Sequence, residues 1–491
     1  MSATIAAAPS WFTRSPDLRL QAVARATRAD YPAWLAHVKA AATCARPVQL
    51  AGTIATVEAA TGRILSSVAT ADMPDGVIYK PCGNRRESVC PACSQRYKRD
   101  AYQVVRCGLV GGKGVPEDVA HHPAVFPTLT APSFGEVHTR VVKRHTCARR
   151  TDCDCRPEPC HARRDLTVCP HGARLACYAR HEGNDPRLGT PLCLDCYDHD
   201  GQVVWNLHAG ELWRRTTIAI NRHMRRIARA RGIDPKAFRL SFGKAAEMQR
   251  RAVVHYHAII RIDGVNPDDK TAILPPPPGL DAGELVDAID HAARTVGFTT
   301  DPHPANPDGW PIGWGTQNLT KVITVAAEGE VTDAQVAAYL AKYATKSTEI
   351  TGHVSNRLNE ETIGVYADPD GTHTERLVEA CWMLGQPHDW RRLRRWAHML
   401  GFGGHFLTKS RRYSITFALL RNQRIVFRRT VTAGPEPAGA AEEPTTLVVN
   451  FLQFVGAGWH TTADAMLANT SAAMARERQQ AARDALQALA A

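Results

Sequence analysis

At 491 residues the chain has room for roughly two or three domains, each with a core of its own. Its 44% apolar and 22% charged residues are those of an ordinary folded protein, and no run of about eighteen apolar residues occurs, which excludes wholesale disorder and a membrane helix. Lysine and arginine outnumber the acids by 60 to 48, a net charge of +12 that favours a polyanionic partner; the first residues lack a basic n-region, so a cytoplasmic location is expected.

Residues 1–115 read as a mixed N-terminal region. A short helix around Ala33–Ala42 precedes strands near Leu50–Val57 and Arg63–Ala69, and a first cysteine group follows. Residues 116–350 carry the densest pattern. The strand Val125–Ala131 stops at Pro132, and a Cys/His-rich insertion at about 145–199 has little core periodicity. Glu211–Arg231 reads as a helix closed by Gly232. Strands are expected at Phe238–Ala246 and Ala252–Asp263, joined by a tight hairpin through Gln249–Arg251. After the break Pro275–Pro278 comes a helix over Glu284–Val296, and Thr332 with Gln335 forms a capping box for another running to about Lys346. A basic region, 351–431, contains RRLRRW and TKSRRYS. Residues 432–446 are a linker by composition, and 447–491 are expected as a helical tail with an alanine-rich helix over 462–490.

The chemistry concentrates in His255-Tyr256-His257. On a strand both imidazoles share one face, close enough to ligate a single divalent ion. With 21 histidines, about one such pair arises by chance, so the pair needs support. Glu247 supplies it, because the hairpin returns the chain beside the histidines. Two imidazoles and a carboxylate suit Mn²⁺ or Mg²⁺ and leave positions open for a phosphate oxygen and water. Glu247 is otherwise a surface carboxylate paired with Arg250 or Arg251. In Val336–Tyr343, Tyr339 and Tyr343 share a helix face and Lys342 neighbours Tyr339, so a cation stands beside a candidate phenol nucleophile. The same spacing also describes the core side of an amphipathic helix.

Fourteen cysteines in a reducing compartment point to metal thiolates rather than disulfides, and twelve of them lie between Cys82 and Cys196. Cys82, Cys90 and Cys93 have finger-like spacing, with Cys107 the nearest fourth ligand in sequence. Cys193 and Cys196 pair with Cys169 and either His171 or Cys177. Cys147, Cys153, Cys155 and Cys160 form a further candidate group. Structural Zn²⁺ is the expected occupant. Arg225, Arg226 and Arg229, on the basic helix, are the candidates for DNA contact.

The segments Phe126–Thr130, His255–His257 and Val336–Lys342 occur in the order of the three motifs of HUH endonucleases. Local wording (CPHG, ELWRRTT, AKYATKS, TKSRRYS) resembles rolling-circle replication initiators of actinobacterial plasmids and integrative elements. The long Cys/His insertion between the first two motifs departs from the simplest pattern. The resemblance implies an α+β HUH domain: an antiparallel sheet with the histidines central, and helices packed on one face. It also implies metal-dependent nicking of one origin strand by Tyr339, a 5′-phosphotyrosine and a free 3′-hydroxyl, with Lys342 assisting and Tyr343 either a second nucleophile or a packing residue. Partners would be origin DNA, recognised as duplex and cut as single strand, and a host helicase and polymerase, since no Walker A loop is present. A conjugative relaxase or single-strand transposase would share the chemistry. A zinc-containing DNA-binding regulator would bind without cutting.

Overall fold

The computed structural model describes residues 16–142, 157–163, 168–324, 331–343, 345, 357–433 and 446–490. Two compact units emerge, one formed by residues 1–97 with 425–491 and the other by residues 98–424. No helix among the described residues is long and apolar enough to cross a membrane.

The first unit is built on strand Val48–Glu58, which pairs antiparallel with Ile64–Ala69 and Ile78–Lys80 on one side and with Thr446–Ala457 on the other. The expected helical tail therefore begins with a strand. Its β-branched and aromatic run, TLVVNFLQF, favours a pleated ribbon before helix Thr462–Ala490 takes over. Gly52 is required where these strands meet, because its φ is +141° and a Cβ there would lie 2.0 Å from the Phe451 carbonyl oxygen. Trp34, Val38, Val77, Tyr79 and Ala468 form the core. Asp75 joins it by accepting from Trp34 Nε1 at 2.7 Å and pairing with Arg25 at 2.9 Å. The linker expected at 432–446 falls largely outside the described residues.

The second unit carries a six-stranded sheet in the order Val331–Thr332, Leu319–Thr324, Ala124–Leu129, Val254–Gly264, Phe238–Met248, Leu407–Lys409. Every neighbouring pair is antiparallel except the short first one. Alternation along Val254–Gly264 sends Tyr256, Ala258, Ile260 and Ile262 to one face and His255, His257, Ile259, Arg261 and Asp263 to the other. Helices His199–Ala230, Ala282–Thr295 and His373–Leu384 cover the first face, burying Leu212, Trp213, Met224, Leu285, Ile289 and Leu377 against it. Helix Asp333–Tyr343 and the C-terminal half of Pro91–Val110 cover the histidine face through Val336, Leu340, Val105 and Leu109. Helices thus lie on both faces, where one was expected, and all of Val254–Gly264 is buried. The charges this encloses are matched: Arg261 donates to Asp263 at 2.6 and 2.9 Å, and His122 Nδ1 lies 2.9 Å from the same carboxylate.

Local chemistry explains the boundaries. The long helix begins at His199 rather than Glu211 because Asp198 caps it, accepting from the Gly201 N–H at 2.7 Å. The capping box before the tyrosine helix forms as expected, with Thr332 N–H donating to Gln335 and Gln335 N–H donating back to Thr332 Oγ1. That helix is described as far as Tyr343, short of the expected Lys346.

Candidate active site and metal sites

The two central strands pair so that Glu247 stands opposite His255 and Ala245 opposite His257. Both imidazoles are buried, with ring centroids 4.5 Å apart. His257 Nε2 lies 3.0 Å from Glu247 Oε2, and its Nδ1 lies 3.1 Å from Thr128 Oγ1 on the neighbouring strand. With the Nδ1 proton donated to Thr128, the Nε2 lone pair faces the carboxylate and is free for a cation. Gln249 places its amide nitrogen 3.3 Å from His255 Nδ1. Burial, then the neighbouring His257 and Arg251, pushes His255 down to about 3, so it is a neutral ligand at physiological pH. Glu247 touches His257 and the His255 ring adjoins it, but among the described residues these three are not one of the groups whose ligand atoms all lie within 4.8 Å of one another.

The tyrosine helix brings its phenols onto this group. Tyr339 Oη lies 3.3 Å from His257 Nε2, and Phe126 packs against both the Tyr339 and His257 rings. The Tyr339 and Tyr343 rings are 4.5 Å apart, and Tyr343 lies 5.5 Å from the His257 ring. Burial, followed by the neighbouring Tyr343 and Glu247, pushes the Tyr339 hydroxyl well above the usual phenol range. A phenolate here therefore needs a cation. Lys342 is exposed, with Nζ 5.8 Å from the Tyr343 ring centre. Beside Tyr339 opens a cleft of about 340 Å³ lined by Phe126, Thr128, Leu319, Lys321 and Gln335. A larger groove of about 870 Å³ runs from Thr130 and Gln249 past Arg140, Arg250, Arg251 and Trp314.

The turn carrying Gln249 is clamped from the opposite layer. Asn206, on the long helix, donates to the Ala252 and Leu400 carbonyls at 3.0 and 2.8 Å and accepts from the Val254 N–H at 3.1 Å. Gln202 donates to the Arg251 carbonyl at 3.1 Å.

Three groups of four metal-type ligands occur among the described residues, each with its ligand atoms within 4.8 Å of one another. The first is Cys44, Cys82, Cys90 and Cys93. Cys44 takes the place expected for Cys107, which is instead buried among Val104, Val115, Val119, Ile415 and Leu420. Backbone N–H groups of Ala45 and Cys82 point at Cys90 and Cys44 sulfurs at 3.3 Å, as suits thiolates. The second group, Cys169, His171, Cys193 and Cys196, follows the sequence reading with His171 as the fourth member. Cys177 belongs elsewhere: it joins Cys160, His138 and His181. Cys160 is thus not grouped as expected, and Cys147, Cys153 and Cys155 lie outside the described residues.

The replication initiator protein family of pSAM2 (RepSA) matches residues 30–473. The chain belongs to this family. A replication initiator protein of Streptomyces ambofaciens is 37% identical over 468 residues, covering 94% of each chain. No solved structure matches.

In this initiator, Arg225, Arg226 and Arg229 are exposed on the long helix, in the layer opposite the histidine face, so they are not brought to Tyr339. Sequence reasoning missed Cys44, His138, His181, Gln249 and Asn206, and gave Thr128 no separate role. Cys44 and His138 lie outside the cysteine-dense stretches searched for ligands, and His181, though inside the insertion, carries no finger-like spacing to a cysteine pair. Gln249 was legible as a polar residue in the turn between the ligand strands. Nothing in the local pattern marks Asn206.

Proposed function

We propose that this initiator is an HUH-type tyrosine nuclease that binds its plasmid origin and nicks one strand, starting rolling-circle replication. The observation carrying the reading is a tyrosine hydroxyl 3.3 Å from the imidazole of a two-histidine, one-carboxylate group on the central strands. Family membership supplies the replication context.

His255, His257 and Glu247 would hold Mn²⁺ or Mg²⁺, which when bound neutralises charge on the non-bridging oxygens of the scissile phosphate. Thr128 orients His257 from behind, and Gln249 restrains His255. Tyr339 Oη attacks phosphorus in line, forming a Tyr–O–P bond as the bond from phosphorus to the 3′ oxygen breaks. The phenol gives up a proton and the departing 3′ oxygen gains one, so the phosphodiester keeps its single charge. The ester stores the bond for later rejoining, while the free 3′-hydroxyl primes a host polymerase on a strand opened by a host helicase. Tyr343, its ring 4.5 Å from that of Tyr339, would either serve a second transfer or pack against the first tyrosine. The groove edged by Arg140, Arg250 and Arg251 beside Trp314 offers cations and an aromatic ring to a single strand. The Cys44 and Cys169 groups are closed, thiolate-rich sites for structural Zn²⁺.

The test is incubation with Mn²⁺ and supercoiled plasmid carrying the protein's own gene region. Nicked circles with protein on the 5′ end are expected. Tight binding with every circle intact would refute the nuclease reading and leave a DNA-binding regulator.

A further inference from the structure

We propose that His138, Cys160, Cys177 and His181 hold a structural zinc ion that braces the hairpin carrying Gln249 beside His255. The zinc site stands on its own ligands; its bearing on nicking rests on the nuclease reading above.

Three of the ligand-to-ligand spacings fit the edges of a tetrahedral site. Zn–S bonds of about 2.3 Å and Zn–N bonds of about 2.0–2.1 Å give ligand-to-ligand edges of about 3.3–3.8 Å. Here His138 Nδ1 lies 3.2 Å from His181 Nε2, Cys160 Sγ 3.8 Å from His138 Nδ1, and Cys177 Sγ 3.5 Å from His181 Nε2. Second contacts fix the ligand atoms. His181 Nδ1 donates to Asp185 Oδ2 at 2.7 Å, which leaves Nε2 with the lone pair aimed at the other three donors. The Thr139 N–H points at Cys160 Sγ at 3.1 Å, favouring the thiolate. Four donor atoms gather around one point, with His181 only 1% exposed, and one cation there would satisfy all four at once.

The ligands staple three segments distant in sequence. His138 N–H donates to the Thr190 carbonyl at 2.8 Å and Gly189 N–H to the His138 carbonyl at 2.9 Å, while His161 and Cys177 exchange backbone bonds at 2.7 and 3.0 Å. The stapled loop grips the hairpin. Arg250 donates to the Gly183 and Asp185 carbonyls at 2.6 and 3.0 Å, and Gly189 packs so closely that a Cβ there would sit 2.6 Å from the Arg250 carbonyl carbon. One residue before Arg250 is Gln249, the neighbour of His255. The zinc therefore holds a loop, the loop holds Arg250, and Arg250 fixes the turn; Arg250 is a positioning residue.

The experiment uses the full chain. In wild-type protein Cys160 and Cys177 are half-buried, so without metal they would react readily with N-ethylmaleimide. Peptide mass spectrometry should find both protected in freshly reduced protein, and both labelled together as a chelator releases one zinc. Immediate labelling of both would overturn the site. Asp185→Asn should keep the fold but weaken zinc retention against a chelator by about 10–100-fold; unchanged retention would count against the assigned ligand atom. Arg250→Gln should keep all zinc yet speed hydrogen exchange in 249–254 by about 10-fold or more. Unaltered exchange in Arg250→Gln would overturn the brace and leave the zinc. Should wild-type protein fail to nick at all, the nuclease reading falls, whereas the labelling and exchange results still decide this proposal.

Discussion

Replacing Asn206 with Leu should destabilise the histidine-bearing unit by about 3 kcal/mol, because the residue is a buried junction with three hydrogen bonds. Leu roughly matches its branching but leaves the Val254 N–H and the Ala252 and Leu400 carbonyls without this partner. A stranded buried group costs about 1–3 kcal/mol, and carbonyls relax more easily than an N–H, so the total falls at the low end of the summed range. Two partners are also conformationally demanding: Ala252 and Leu400 have φ of 65° and 53°, left-handed values that a non-glycine residue keeps only when held. Seven of the ten tryptophans, Trp205, Trp213, Trp310, Trp314, Trp382, Trp390 and Trp396, lie in residues 98–424, so fluorescence reports this unit's urea transition. With a slope of about 3 kcal/mol per molar urea, the midpoint should fall by about 1 M. A midpoint within about 0.3 M of wild type would refute the junction argument.

Tyr339→Phe should abolish the covalent 5′ adduct while DNA binding persists, and Tyr343→Phe should still form it; mass spectrometry of trapped, nuclease-trimmed adduct reads the attachment residue, and a nucleotide on Tyr343 alone would reverse the assignment. Chelation should stop nicking, Mn²⁺ or Mg²⁺ should restore it, and His257→Ala should lose it while remaining folded; an active, folded variant lacking both His255 and His257 would sink the metal assignment. Replacing Arg225, Arg226 and Arg229 together should flatten the salt dependence of duplex binding by about one unit of slope per lost phosphate contact, and an unchanged slope would show that this helix faces away from DNA. Burial pushes the Lys244 ammonium from its ordinary 10.5 down to about 7, so between those values only the unfolded chain keeps the proton and stability rises with pH. Lys244→Met should remove that rise from denaturation curves taken at pH 7–10, and identical pH profiles for the two proteins would show that the Tyr256 ring, 3.7 Å from Nζ, already stabilises the cation.

Much of the site was legible because its members obey short-range rules. His255 and His257 share a face by strand alternation, Glu247 returns by a hairpin, and Tyr339 and Tyr343 recur one helical turn apart. What stayed hidden depends on contacts between remote segments. Cys44 reaches Cys90 only after the strands between them fold, and His138 meets His181 across a loop whose path no local periodicity records. Asn206 looks like any polar residue in a helix until the hairpin is laid against it. The strand Thr446–Ala457 had the composition of a strand, but its position after a linker-like segment made a simple tail the economical reading.

The pairing of that strand with Val48–Glu58 has a consequence for how the chain is made. Val48 aligns with Ala457 and Glu58 with Thr446, so roughly 390 residues of chain separate the two partners. At about 5–20 residues per second, a ribosome needs on the order of 20–80 seconds to reach the second strand after finishing the first. Throughout that time Val48–Glu58 has neighbours on one edge only, from Ile64–Ala69 and Ile78–Lys80. Its other edge presents unpaired N–H and C=O groups, a template for any extended segment nearby. The histidine-bearing unit is synthesised inside this interval, and its edge strand Leu407–Lys409 is completed only near the end of it. A polypeptide released early, or stalled anywhere in that unit, keeps the open edge of Val48–Glu58 and becomes a candidate for chaperone capture or aggregation.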